Sequence, residues 1–143
     1  MTADTASIRI DAPAQIIFDY LSDPEKMDRW SFGTWHTTVH PDGLVEGRAL
    51  GTGAEILVRI DADPDRLLID YHIGQTTDAL SPRIFARVIP GNVTGHAPDT
   101  ATLTLTALRS ETMDDQRWQS LCRAHAAELD LIKGQIETDW DPR

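Results

Sequence analysis

Residues 114–140 read DDQRWQSLCRAHAAELDLIKGQIETDW, and this stretch decides the architecture. Trp118, Leu121, Cys122, His125, Leu129, Ile132, Ile136 and Trp140 recur every three or four positions, the period that places side chains on one side of an α-helix. Asp114 and Asp115 supply the negative charge that a helix N-terminus favours. The spacing predicts a helix from Asp114 to about Trp140, roughly 40 Å long at the standard rise per residue. Gly134 costs it about 1 kcal/mol relative to Ala and is a candidate bend. Such a rod, apolar on one side only, needs a larger surface to cover it.

That surface lies upstream. Strand-like segments occupy residues 35–40, 44–50, 54–61, 66–73, 82–89 and 100–108, separated by turn-forming runs such as Pro41-Asp42-Gly43, Gly51-Thr52-Gly53 and Asp63-Pro64-Asp65. Residues 100–108 show the clearest alternation, with Leu103 and Leu105 opposed by Thr102, Thr104 and Thr106. Ile56, Val58 and Ile60 alternate in the same way with polar neighbours. One covered and one wet side are the mark of an antiparallel sheet.

Before the meander, Ile8 and Ile10 mark a short strand over residues 7–11. Asp11 and Pro13 then open a helix over residues 13–22, with Ile16, Ile17, Tyr20 and Leu21 as its apolar stripe. Ser22-Asp23-Pro24-Glu25 repeats the start signal for a second short helix over residues 24–30. The expected fold is therefore α+β: a curved antiparallel sheet of about seven strands wrapped on a long C-terminal helix, with two short helices after the first strand. With 143 residues, 41% hydrophobic and 25% charged, one domain over residues 1–143 is expected.

A net charge of −10, from 23 acidic against 13 basic side chains, disfavours nucleic acid and anionic membranes as partners, since both require a basic face. No apolar run approaches the roughly 20 residues of a membrane-spanning helix. The first residues, Met-Thr-Ala-Asp-Thr-Ala, carry no export signature, and a single cysteine, Cys122, excludes an intrachain disulfide. A cytoplasmic location is the expectation.

The segment Ile8-Arg9-Ile10-Asp11-Ala12-Pro13-Ala14-Gln15-Ile16-Ile17-Phe18 resembles the opening strand and helix of the START-like, or SRPBCC, superfamily. Leu21 to Glu25 with Trp30, Phe85-Ala86-Arg87-Val88, Thr102-Leu103-Thr104-Leu105, and residues 129–136 with Lys133 extend the resemblance over nearly the whole chain. It implies the helix-grip fold of the birch-pollen allergen, polyketide cyclases and lipid-transfer domains. It also implies a cavity between sheet and C-terminal helix for an apolar or amphipathic small molecule. The superfamily mixes carriers, enzymes and protein-binding regulators, so fold alone does not select a function.

His125 lies on the apolar side of the helix, between Leu121 and Leu129, where it is either an acid, base or orienting donor in the cavity or a core histidine with a hydrogen-bond partner. Tyr71 shares a strand face with Leu67, Ile69 and Ile73, which turns its hydroxyl inward. Trp30, Trp35 and Trp118 are candidates to line or rim the cavity with Leu121 and Leu129. Trp140 is read as a plug or an oligomer contact. Arg83 and Arg87 share one strand face with Phe85 and Ile89, whose direction the alternation leaves open; facing inward, either suits a carboxylate or enolate.

His36 and His40 stand about 13 Å apart on an extended strand, too far to share an ion. His72 and His96 show no patterned partner, and Asp61, Asp63 and Asp65 read as turn carboxylates. No metal or cofactor is expected. Cys122 precedes His125 by one helical turn but lacks a third orienting group, so it reads as a packed thiol. Gly47, Gly51 and Gly53 fit a bend and not a phosphate loop.

The favoured function is binding of a small hydrophobic or amphipathic ligand, lipid- or polyketide-like, with Trp30, Trp35, Tyr71, Trp118, Leu121, His125 and Leu129 as its contacts. One alternative is a cyclase or dehydratase acting by proton transfer through His125 and Tyr71. Another is a protein-interaction module that activates a chaperone ATPase, with a filled core. A homo-oligomer is compatible with each.

Overall fold

The structure, a computed structural model, describes residues 2–138. Seven strands form one antiparallel sheet: β1 (Ala3–Ile10), β2 (Trp35–Val39), β3 (Val45–Arg48), β4 (Glu55–Asp63), β5 (Leu68–Gly74), β6 (Ser81–Pro90) and β7 (Ala101–Leu108). Their order is β1-β7-β6-β5-β4-β3-β2, so only the β1 to β7 pairing joins strands distant in sequence. Helix α1 (Ala14–Ser22) and a 3-10 turn (Pro24–Arg29) lie between β1 and β2, and α2 (Asp115–Thr138) follows β7. The α+β helix-grip architecture expected from the sequence is the one observed. Trp140 lies outside the described residues.

The alternating residues form the core as their pattern requires. Val58, Ile69, Ala86, Val88, Leu103 and Leu105 are buried on the helix-facing side of the sheet, with Ile17, Leu21 and Ile132 against them. β1 extends to Ala3, four residues beyond its expected start at Ser7. Its register with β7 runs unbroken from Ala3 opposite Leu108 to Ile10 opposite Ala101. The Ala, Asp and Thr of that extension show no apolar alternation, and the ladder itself holds them, aided by a 2.9 Å bond between the Thr5 and Thr106 hydroxyls.

Three local expectations need correction. The second short helix is 3-10 and ends at Arg29; Pro24 starts it and the Asp23 carboxylate accepts from the Glu25 N–H at 3.0 Å. Asp11 does not cap α1, which begins after an extended Pro13 without a side-chain cap. Instead the Asp11 N–H donates to Glu137 Oε2 at 2.7 Å. Ile16 is 53% exposed, and Phe18 takes its place in the buried stripe.

Gly134 does not interrupt α2, which is continuous to Thr138. Gly47 permits a close approach: a Cβ there would stand 3.2 Å from Thr34 Cα and Trp35 O. Gly53 closes the β3–β4 turn at φ +73°. Among the described residues, no helix is long and apolar enough to cross a membrane.

Candidate functional site

Between the sheet and the first half of α2 lies a cavity of about 630 Å³, within the range of small-molecule sites. Its wall is mainly apolar, with Trp30, Ile56, Val58, Ile73, Leu105 and Leu121 among its residues. Residues 49–52, 113, 114, 116 and 117 also border it. Leu50 and Leu108, which line it too, are 53% and 38% exposed and present apolar surface to solvent as well.

Of the residues expected to contact a ligand, Trp30, Tyr71, Leu121 and His125 line this cavity. Trp35, Trp118 and Leu129 do not. Trp35 is 40% exposed and borders a second cavity of about 490 Å³ shared with Trp30 and Phe32. Trp118 is buried beneath Arg109, whose guanidinium carbon lies 6.0 Å from its ring centre. The same Arg109 bonds Met113 O and Asp115 Oδ1, at 3.1 and 2.6 Å, so Trp118 belongs to the clamp that starts α2. Leu129 packs into the core one helical position beyond the hollow.

The hydroxyl of Tyr71 donates to Leu21 O at 2.7 Å, satisfying a carbonyl in the last turn of α1. Burial, followed by the nearby Glu128, pushes its pKa far above the ordinary phenol range. Its ring meets Trp30 edge-on, with centroids 5.8 Å apart. Tyr71 is therefore placed to supply wall area, while its proton is committed to Leu21.

His125 is buried, and burial lowers its pKa, opposed by Asp4. One turn on, Glu128 is also buried and also lines the cavity. Glu128 Oε2 accepts from the Phe32 N–H at 2.9 Å, and Oε1 stands 3.8 Å from His125 Nε2. Burial pushes the Glu128 carboxyl up to about 8, with the Phe32 bond opposing. At that separation the contact is longer than a hydrogen bond, and burial outweighs the mutual attraction. Both groups thus favour their neutral forms near pH 7: an acid and a base side by side in an apolar chamber.

Sequence reasoning missed Glu128. Its spacing from Leu121 and His125 was the available signal, since positions 121, 125 and 128 fall on one helix face; a glutamate there reads first as surface. Among the described residues, four that line the cavity hold a buried polar atom without a hydrogen-bond partner: Trp30 Nε1, Thr34 Oγ1, Arg83 Nε and His125 Nδ1.

Away from the cavity, His72 does have neighbours. Asp61 and Asp70 face each other across β4 and β5, and His72 Nε2 lies 3.9 Å from Asp61 Oδ2. Ligand atoms of the three fall within 4.8 Å of one another, a set able to hold a divalent cation. Asp61 and Asp63 belong to β4 and not to a turn. Cys122 is free and half-buried, and burial followed by Asp4 raises its pKa, which disfavours the reactive thiolate.

The structure is similar to a START superfamily protein from Mycobacterium smegmatis, at 13% identity and a TM-score of 0.69 over 98% of this chain and all of that one. It is also similar to the Zhui aromatase/cyclase from a Streptomyces species, at 17% identity and a TM-score of 0.68 over 94% and 93% of the two chains. The di-domain ARO/CYC protein BexL matches at 20% identity and a TM-score of 0.68; the match spans 96% of this chain and 47% of BexL. No family model and no curated protein matches the chain. At such identities the likeness is one of fold alone, a fold shared with that START superfamily protein.

Proposed function

We propose that this protein binds a small hydrophobic or amphipathic molecule in the cavity between the sheet and α2. The cavity of about 630 Å³ with its mainly apolar wall carries this reading. Burial of ligand surface at about 25 cal/mol per Å² is the driving term. Trp30 and Tyr71 form the aromatic wall, and Leu121 with His125 the helix side. Trp118 and Leu129 serve the scaffold. A filled core, which a chaperone-activating interaction module would show, is not what supports the fold at this place.

A second reading, proton transfer on a polyketide-like ligand, is favoured by one observation: neutral His125 and protonated Glu128 border the same chamber. In it His125 removes a proton from an enolising carbon and Glu128 donates one to the oxygen that is lost as water.

Native mass spectrometry of protein purified from its source tests both. A bound organic compound is expected, and Ala124→Trp, which fills the chamber from α2, is expected to lose it. A bare chain, or equal binding of anilinonaphthalene sulfonate by wild type and Ala124→Trp, overturns the site. An added poly-ketone recovered unchanged supports carriage. Recovery minus one water, abolished in His125→Ala, supports the second reading.

A further inference from the structure

Arg83 and Ile84 are adjacent in β6, yet both line the cavity. A regular strand sends neighbouring side chains to opposite faces. The exception has a local cause. Tyr71 pairs with Ile84 but His72 pairs with Pro82, so Arg83 is the extra residue of a bulge. Beyond it the strand is regular: Ala86 and Val88 are buried on the cavity side and Arg87 is exposed. Bulges re-aim single side chains beside sites, and this one turns one arginine of the pair inward while leaving the other in water.

Among the described residues the inward arginine has no hydrogen-bond or ion-pair partner. Its Nε is buried without a hydrogen bond, and no carboxylate among the described residues pairs with it. A guanidinium keeps its charge throughout the pH range of folded proteins and is rarely buried unpaired. The chain is otherwise strongly acidic, at −10, so a lone half-buried cation in an apolar hollow is the reverse of its surface. The other ionisable wall groups do not neutralise it: Glu128 is mostly protonated at pH 7, and Asp114 and Arg117 are exposed.

Resting on the reading of the cavity as a ligand site, we propose that its ligand carries one anionic oxygen group of carboxylate type, which the bulged Arg83 grips while the apolar remainder lies against the wall. The planar fork of a guanidinium suits two oxygens at once. Arg83 is then the residue that sets charge preference, and His125 and Glu128 act elsewhere on the same molecule.

The test uses two probes of equal shape, naphthoate and naphthamide, titrated by calorimetry at neutral pH into wild type, Arg83→Gln, Arg83→Lys and Arg117→Gln, each first shown by circular dichroism to be folded. Wild type is expected to bind naphthoate about tenfold or more tightly than naphthamide, the scale of one hydrogen-bonded charge. Arg83→Gln is expected to bring that ratio near one. Arg83→Lys, which keeps the charge and loses the fork, is expected to fall between. A ratio near one in wild type overturns the charge preference while leaving the cavity a ligand site. A ratio that survives Arg83→Gln and vanishes in Arg117→Gln assigns the preference to the mouth and also overturns it. Failure of both probes to bind wild type overturns the ligand site and the preference together.

Discussion

The two halves of α2 meet the rest of the molecule differently. From Leu129 onward the helix is packed and bonded. Leu129 and Ile132 are buried, Gln135 joins Tyr20 through its Oε1 and Arg29 O through its Nε2 at 2.8 Å, and Lys133 donates to Arg9 O at 2.8 Å. Before Leu129 the same helix borders a hollow, with Leu121, Ala124, His125 and Glu128 among the groups that line it. Its start is held by Arg109, which bonds Asp115 and lies over the buried Trp118. One element therefore anchors the fold at one end and spans the site at the other. That separation lets the wall change chemistry without loosening the core.

Substitutions along α2 test how sharp the division is. The largest effect is expected at Ile132, fully buried in the anchoring half: Ile132→Ala should cost about 2–5 kcal/mol in urea unfolding. A loss under 1 kcal/mol would show that this half does not hold the fold.

Glu128, where the halves meet, should show an intermediate and pH-dependent effect. Its carboxyl is raised from 4.5 to about 8 in the folded chain. Below pH 4.5 it is protonated whether the chain is folded or not. Between 4.5 and about 8 only the unfolded chain releases the proton, so stability falls as pH rises through this window and levels off above it. Glu128→Gln should remove that slope and gain on the order of 1–3 kcal/mol at pH 8. An unchanged slope in thermal melts across the window would refute burial as the cause.

The smallest effect belongs to the open half. Leu121 is half-buried and lines the hollow, so Leu121→Ala should cost below about 1 kcal/mol. A loss matching that of Ile132→Ala would erase the distinction.

The fold was legible because its carriers are periodic. The three- and four-residue spacing of α2 and the alternation of β4 and β7 follow directly from helix and strand geometry. The site was legible only where it shares that periodicity: His125 falls on the apolar stripe, and Tyr71 follows Ile69 on a buried face. For Arg83 the chemistry was legible but the direction was not, because a bulge is a count of residues between two strands and shows in neither alone. Trp118 and Trp35 were misplaced for a different reason: a large aromatic serves equally as wall, as the platform for a guanidinium, or as a half-exposed edge. Glu128 was missed because a carboxylate beside a histidine reads as surface until the surrounding elements enclose it.

β2 ends the sheet as a strand of only five residues, its register with β3 shifts between Trp35 and Thr38, and His36 sits there at φ 51°. A ladder that breaks within two residues of its start offers an incoming chain too few aligned amides to extend. The kink thus blunts the open flank of the barrel-like wall against templated stacking, and keeps an apolar ring such as Trp35 at the surface without making that flank adhesive.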